Sequence, residues 1–159
     1  MKEIEKFEFL QNKEDGKYGY VFGQQNLSCS KYYEVELSQK LLVGLISSGA
    51  LKPSMKRLKK YFAVMVDNEI YFIDIKDEIV IKTLILNSFA YDIIEYYNKF
   101  IILGEIDILV IDSVFNIEQK VELSDILSKY KIENDVLIYT TFDNDKKNIL
   151  NLKTKGKNG

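Results

Sequence analysis

Residues 62–74 read FAVMVDNEIYFID and residues 100–112 read FIILGEIDILVID, so one pattern returns after 38 positions without a gap. In each copy an apolar run enters a short acidic turn, and a second apolar run leaves it and ends in Ile-Asp. Apolar runs of this length between turn residues are typical of buried strands, so we predict two equivalent β-hairpins. Alternation along the strands assigns six side chains to the core: Phe62, Val64, Phe72, Phe100, Ile102 and Val110.

A looser third copy follows. Residues 136–139, VLIY, correspond to the start of the second copy, and residues 149–152, ILNL, correspond to its second strand around a longer turn. Strand-length runs bounded by turn signals occur at 58–66, 70–75, 80–86, 91–97, 100–103, 108–111, 117–123, 130–133, 136–141 and 148–152. Short strands at close, even spacing predict an antiparallel all-β fold with at most one or two short helices.

The repeated unit resembles the blades of β-propellers. The stretches that carry this resemblance are residues 98–104, NKFIILG, and residues 108–112, ILVID, and it extends over about residues 59–153. A blade is a small antiparallel sheet, and a unit of about 40 residues fits one blade. The resemblance implies three to four blades in an antiparallel meander, and we expect an open half-propeller or a curved sandwich in preference to a closed ring.

The first 60 residues do not show the repeat. Runs rich in aromatic and β-branched residues at 6–10, 18–23 and 32–37 predict a meander of three strands. Residues 38–60 are interpreted as an irregular or helical connector, because Leu41, Leu42, Leu45 and Ile46 fall at helical spacing, although the same run suits a buried strand. We expect one β domain over 1–153, with the repeats in 61–153, and a disordered basic tail at 154–159.

The composition favours a protein without catalytic activity. The chain has no histidine, so histidine-based triads and imidazole acid–base chemistry are excluded. Its single cysteine, Cys29, is expected to be an inert, reduced thiol. No phosphate-binding loop occurs, and Asp143-Asn144-Asp145 lacks the glycine and glutamate of a calcium loop, so we expect no cofactor and no metal. Without a secretory signal or a long apolar run, a cytoplasmic location and no membrane contact are expected.

Charge is distributed unevenly. Residues 61–145 carry 17 acidic residues against 6 lysines, whereas residues 51–60 and 146–159 carry only basic charges. An acidic repeat region argues against nucleic-acid binding. Paired acids recur at the three predicted hairpin turns, and we predict that they form a binding surface for a basic protein: Asp67, Glu69, Glu105, Asp107, Asp143 and Asp145. The alternative is that acids simply suit turns and keep the surface soluble.

A small, acidic β protein without catalytic residues is similar in kind to the immunity proteins of bacterial toxin systems, such as contact-dependent growth inhibition. Such proteins neutralise a cognate toxin, often a basic nuclease. The resemblance lies in size, class and charge, and it implies binding and inhibition of a toxin domain. The alternative function is a propeller-like scaffold or interaction module that binds a protein without inhibiting it.

Overall fold

The computed structural model describes residues 1–25 and 30–153. The chain divides into two compact units, Met1–Ile93 and Ile94–Gly159. Within the described residues it forms one α-helix and fifteen strands, so the predicted all-β class is confirmed. The strands form four small sheets, which are given below in chain order.

The first unit holds two of the sheets. The first contains β1 (Lys2–Ile4), β2 (Tyr20–Phe22), β3 (Lys31–Ser38) and β4 (Leu41–Ser47), in the order β1-β3-β4-β2, with α1 (Lys6–Glu14) between β1 and β2. The second contains β5 (Ser54–Arg57), β6 (Tyr61–Val66), β7 (Glu69–Asp74) and β8 (Val80–Ile85), in sequential order.

The second unit holds the other repeats. The division between the units falls within β9 (Ala90–Tyr96), which is followed by β10 (Lys99–Gly104), β11 (Asp107–Asp112) and β12 (Ile117–Glu122) in one four-stranded sheet. The last sheet has three strands in sequential order: β13 (Leu127–Glu133), β14 (Val136–Thr141) and β15 (Asn144–Asn151). Each of the ten runs predicted from residue 58 onward overlaps one of the strands β6 to β15.

The two copies of the repeat form hairpins in the same register. Phe62 pairs with Ile73 in β6–β7, and Phe100 pairs with Ile111 at the equivalent positions of β10–β11. The six side chains assigned to the core are all buried, at 0–4% exposure. The predicted hairpins and their core residues are therefore confirmed.

The predicted strand at residues 6–10 is wrong, because this segment begins α1. A strand would place Phe7 and Phe9 on the same face, whereas Phe9 is fully buried and Phe7 is 80% exposed. Phe9 packs on the rings of Tyr18 and Tyr32, with centroids 5.1 and 5.0 Å away. Asn12, three residues after Phe9, is also buried, as the helical period requires.

The predicted connector at residues 38–60 is also wrong, since it contains strands β4 and β5. Leu41, Val43 and Leu45 pack in the core of the first unit, and Ile46 packs on the opposite face of β4 in a cluster with Phe9. A strand buried on both faces reads as a continuous apolar run, and such a run also matches helical spacing. Gly44 lets Phe9 approach, because a Cβ there would meet Phe9 Cε2 at 2.8 Å.

The three-strand N-terminal meander is corrected as well. Strand β2 pairs with β4 in parallel, with Tyr20 opposite Val43, so the first sheet is not purely antiparallel. Residues 26–29, which include Cys29, and the predicted tail at 154–159 lie outside the described residues.

Candidate functional site: the acidic end of the second unit

The six acidic residues predicted at hairpin turns lie at or beside the observed turns. Asp67, Glu105 and Asp143 lie between the two strands of their hairpins. Glu69 and Asp107 are the first residues of β7 and β11, while Asp145 lies inside β15. The third hairpin is two residues longer than the second, spanning 136–151 against 99–112 between its paired ends. The predicted longer turn is wrong, because residues 142–143 form a turn as short as 105–106 and the extra length lies at the register shift between Tyr139 and Thr141.

In the first unit these carboxylates are bound by the chain itself. Asp67 accepts hydrogen bonds from Ser47 Oγ (3.0 Å), Ser48 N (2.9 Å) and Ser48 Oγ (2.9 Å). Glu69 accepts a hydrogen bond from the Tyr71 hydroxyl and one from Gln24 Nε2 (3.3 Å). Burial, followed by the hydrogen bond to Glu69, raises the pKa of Tyr71 to about 12. The hydrogen bonds of these two acids therefore connect Gln24 and residues 47–48 to the β6–β7 turn.

A cavity of about 540 Å³ lies beside this turn, lined in part by Gln24, Asp67, Asn68 and Ile85. Its polar groups are mainly amide and carboxylate groups. Asp67 and Glu69 already hold intrachain hydrogen bonds at this wall. Ser48, which also lines the cavity, donates a hydrogen bond from its hydroxyl to Asp67 at the same wall (2.9 Å).

In the second unit two of the acidic turns come together. Residues 123–126, which connect β12 to β13, and Leu127, the first residue of β13, bind both turns. The amide of Leu127 donates to the carbonyl oxygen of Glu105 (2.8 Å), and the amide of Phe142 donates to the carbonyl oxygen of Ile126 (2.9 Å). Ser124 Oγ also donates to Asp143 Oδ2 (3.4 Å). The β10–β11 and β14–β15 turns thus lie at the same end of the unit.

This surface, called the acidic end below, consists of Glu105, Ile106, Asp125, Phe142 and Asp143. Ile106 is 42% exposed and Phe142 is 71% exposed. Glu105 and Asp125 are half-buried and Asp143 is exposed, and within the described residues none of the three carboxylates has a salt bridge. Three carboxylates without a salt bridge among the described residues therefore lie at the same end of the unit as two exposed apolar side chains.

Two other predicted residues lie outside this surface or at its margin. Asp107 is only 3% exposed, so its carboxylate is not presented to solvent. Asp145 is exposed but lies two residues beyond the β14–β15 turn, next to Lys146. Sequence reasoning missed Asp125, Ile106 and Phe142; the available signal was the unusual placement of large apolar residues in two acidic turns.

The backbone of these turns has the same role in both units. In the first unit, Leu86 N donates to Asn68 O (2.8 Å) and Ala90 N donates to Asp67 O (2.8 Å). In the second unit, Leu123 N donates to Ile106 O (2.9 Å) and Leu127 N donates to Glu105 O (2.8 Å). The turn carbonyls thus bind the chain that follows in both units. Among the described residues the Glu105 carboxylate accepts no hydrogen bond, unlike that of Asp67.

Shifted pKa values occur at structural turns. Hydrogen bonds from the amides of Asn116 and Val114 and from the Asn116 side chain lower the pKa of Asp112. The hydrogen bond from the Tyr96 hydroxyl and the nearby Lys153 ammonium lower the pKa of Asp135, and the same bond raises the pKa of Tyr96 to about 12.

Within residues 1–25 and 30–153, no group of three or more metal-ligating side chains occurs. In that part of the chain no helix has the length and apolar character to cross a membrane.

Comparisons with known proteins identify the fold. No protein-family model and no curated protein matches the sequence. Solved structures do match, among them Kluyvelomyces marxianus Hsv2, with a TM-score of 0.50 and 13% identity over 64% of this chain and 35% of that chain. BBS1N, solved in complex with ARL6DN, gives a TM-score of 0.50 and 15% identity over 82% of this chain and 47% of that chain. The chain thus spans about a third to a half of the length of these structures.

Both matched structures are β-propeller proteins. At this level of identity the likeness concerns the fold. It agrees with the sequential antiparallel sheets formed by β5–β8 and β9–β12 and with the register shared by their central hairpins. The resemblance to propeller blades is therefore confirmed, and the chain has a β-propeller-like fold.

Proposed function

We propose that this chain is a non-enzymatic interaction module that binds a basic partner protein through the acidic end. The observation that carries the proposal is the acidic end itself, where Glu105, Asp125 and Asp143 lie at the same end of the unit as the exposed side chains of Ile106 and Phe142. Aromatic and aliphatic anchors within a polar rim are the usual anatomy of a protein–protein interface.

The charge of the acidic end defines the partner. Carboxylates without neighbouring cations attract a surface of opposite sign, and such fields act mainly on the rate of association and on its salt dependence. Ile106 and Phe142 supply exposed apolar area, and its burial against a partner would contribute favourable free energy to binding. We therefore expect the partner to present lysines or arginines around an apolar pocket or groove.

The solved structures support this proposal at the level of the fold. BBS1N was solved in complex with another protein, ARL6DN, so a propeller of this kind does present a protein-binding surface. The comparison supports a scaffold or interaction module. It does not specify which protein binds this chain.

Neutralisation of a toxin is a narrower form of the same proposal. Its support is the charge of the repeat region and the absence of histidine and of the common catalytic motifs from the sequence. A basic nuclease would be a suitable partner, because the acidic end would cover its substrate-binding surface. The solved structures that resemble the chain do not bear on this role.

Affinity capture with three forms of the full chain tests the interaction. The first is wild type, the second carries Glu105→Lys and Asp143→Lys, and the third carries Glu14→Lys and Glu133→Lys as a control with the same change of net charge. Glu14 and Glu133 are exposed acids outside the acidic end. Circular dichroism first verifies that all three forms are folded.

We expect at least one basic protein of the source cell to be recovered with the wild type and the control but not with the acidic-end variant. Identical recoveries with all three forms would contradict the proposal. So would the absence of any protein that distinguishes the variants.

Coexpression then tests the narrower role. A toxin that this chain neutralises stops growth when it is expressed alone and permits growth when it is expressed with the wild-type chain. A partner that binds but whose coexpression never affects growth contradicts neutralisation and leaves the interaction module in place.

A further inference from the structure

A second cavity lies in the second unit, at the end opposite to the acidic end. It has a volume of about 490 Å³ and is lined in part by the β9–β10 turn, by Asp135 of the β13–β14 turn, and by Lys153, which follows β15. Strands β10 and β14 each have one of these turns at one end and a turn of the acidic end at the other. The cavity is therefore separate from the acidic end.

Two tyrosines form adjoining walls of this cavity. The rings of Tyr96 and Tyr97 stand at 83° to each other with their centroids 4.7 Å apart, and both residues line the cavity. The face of an aromatic ring carries partial negative charge and attracts a cation. Two nearly perpendicular rings of this kind therefore favour a positively charged group that lies against them.

The backbone of Tyr97 is strained. Its φ is 51°, in the left-handed region where glycine, asparagine and aspartate are common and bulky side chains are rare. Asn134 and Asp135, in the other turn at the cavity, have φ of 48° and 65° and follow this preference. Tyr97 does not follow it, and because its ring is 74% exposed, the core gains little from it. Strained residues are frequent at binding sites, and a ring that contacts a ligand accounts for a tyrosine at this position.

Asp135 supplies the negative charge of the cavity. The Tyr96 hydroxyl donates a hydrogen bond to Asp135 Oδ1, and Lys153 Nζ lies 3.1 Å from Asp135 Oδ2. The bond from Tyr96 orients the carboxylate. The side chain of Lys153 is 70% exposed, and exposed ion pairs of this kind are weak, so another cation can take its place.

The second lysine at the cavity is held elsewhere. Lys99 is 7% exposed, and its ammonium group lies 2.6 Å from Glu118 and donates to the carbonyl oxygen of Leu152 (3.2 Å). Its charge is therefore balanced by a carboxylate of its own. The cation on Asp135 is thus the ammonium group of Lys153, which stands in for the cationic group of a ligand.

We propose that this cavity binds the guanidinium group of an arginine side chain from a partner protein, which replaces Lys153 on Asp135 and lies against the two tyrosine rings. A guanidinium group is planar and permanently charged, donates several hydrogen bonds to a carboxylate and stacks on aromatic rings. An ammonium group lacks this plane, so arginine suits the cavity better than lysine. Asn98 also lines the cavity, and its side-chain oxygen is a further acceptor. The proposal does not depend on the function assigned to the acidic end.

Peptide titrations of the full chain test the proposal. The probes are Gly-Gly-Arg-Gly-Gly, the same peptide with lysine, and the same peptide with citrulline, which has nearly the shape of arginine but a neutral urea group. Nuclear magnetic resonance follows the backbone amides of residues 96–98 and 135 and the side-chain amide of Asn98. Saturation of the shifts gives a dissociation constant for each peptide.

Four variants separate binding from folding. Asp135→Asn removes the charge and Tyr97→Asn removes the ring, and asparagine tolerates the positive φ at both positions. Lys153→Met removes the competing cation. Lys120→Met is its control, because Lys120 is an exposed lysine that pairs with Glu122 (3.3 Å) and does not line the cavity. Thermal unfolding first verifies that all four variants fold.

We expect the arginine peptide to give saturable shifts and the citrulline peptide to give none. Asp135→Asn and Tyr97→Asn should each weaken binding of the arginine peptide at least about fivefold, with Tyr97→Asn at least as stable as the wild type. Lys153→Met should strengthen binding by up to about fivefold, the range expected when an exposed ion pair no longer competes. Lys120→Met should bind as the wild type does.

Equal binding of the arginine and citrulline peptides, or the absence of a saturable shift at residues 96–98 and 135, would overturn the proposal. Equally tight binding of the lysine peptide would overturn the assignment to arginine. Binding to Lys153→Met that is no tighter than binding to Lys120→Met would overturn the exchange with Lys153, because a purely structural ion pair does not compete with a ligand.

Discussion

Val110 and Ile149 occupy the same position in two hairpins of the second unit, but Val110 is fully buried and Ile149 is 68% exposed. The repeat sets the register of the hairpin, since alternation and turn length are local properties. The neighbouring strands and sheets decide whether that position is covered. The last sheet therefore combines an internal hairpin core with an exposed face.

The first prediction concerns the core of the repeat. Replacing Phe100, which is 4% exposed, by alanine removes a buried ring and leaves a cavity, so we expect a loss of about 3–5 kcal/mol of unfolding free energy. Phe142→Ala is the matched control, because its ring is mostly exposed, and we expect a change within about 0.5 kcal/mol. Urea denaturation followed by circular dichroism measures both. Equal losses of unfolding free energy for the two variants would contradict the assignment of Phe100 to the core.

The second prediction separates two acids that lie at equivalent turns. Asp67→Asn replaces one carboxylate oxygen with an amide nitrogen, which cannot accept the hydrogen bond that Ser48 N donates to Oδ2 (2.9 Å). Asparagine tolerates the positive φ of 51° at this position. We expect a loss of about 1–3 kcal/mol. Glu105→Gln should change stability by less than about 0.5 kcal/mol, because this side chain has no hydrogen bond among the described residues.

Thermal and urea unfolding of these two variants provide the measurement. A Glu105→Gln loss as large as that of Asp67→Asn would show that the second-unit turn also depends on its carboxylate. In that case Glu105 would be a structural residue and a poor candidate for partner binding.

Parts of the fold were accessible from the sequence because they depend on local periodicity. The hairpins at 62–74 and 100–112 combine apolar runs with acidic turns, and both features can be recognised in a single sequence. Helix α1 was missed because Phe7 and Phe9 have strand-like spacing, and the burial of the polar Asn12, which reveals the helical face, is a tertiary property. Strand β4 was ambiguous because both of its faces are buried.

The candidate site was only partly predictable for a related reason. Glu105 and Asp143 were identified as turn acids, but their proximity depends on hydrogen bonds made by residues 123–127. Asp107 is 3% exposed because of the strands packed around it, which no local pattern encodes. Phe142 was visible in the sequence as a large apolar residue in an acidic turn, but its exposure is a tertiary property.

A third prediction concerns pH. Hydrogen bonds from Asn116 and Val114 lower the pKa of Asp112 in the folded state below the value it has in the unfolded chain. The ionised carboxylate therefore stabilises the fold above the ordinary carboxyl range, and this contribution is lost as the pH falls through the lowered pKa. Asp112→Asn carries no titrating group at this position.

We expect the stability difference between the wild type and Asp112→Asn to be largest near about pH 5 and to shrink toward about pH 2. Urea denaturation midpoints across this range measure the difference. A stability difference between the wild type and Asp112→Asn that stays constant or grows on acidification would contradict the role assigned to the Asp112 carboxylate.

The association rate of the captured partner tests the central claim most directly. Stopped-flow or surface measurements compare the wild type, the Glu105→Lys/Asp143→Lys variant and the Glu14→Lys/Glu133→Lys control at about 0.1 M and about 1 M salt, where the Debye length falls from about 10 to about 3 Å. If the acidic end steers a basic protein, the acidic-end variant should associate at least about tenfold more slowly at low salt, while the control associates nearly as fast as the wild type. High salt should then bring all three rates together. Equal association rates for the three proteins at low salt, with no effect of salt on the wild type, would contradict binding through the acidic end.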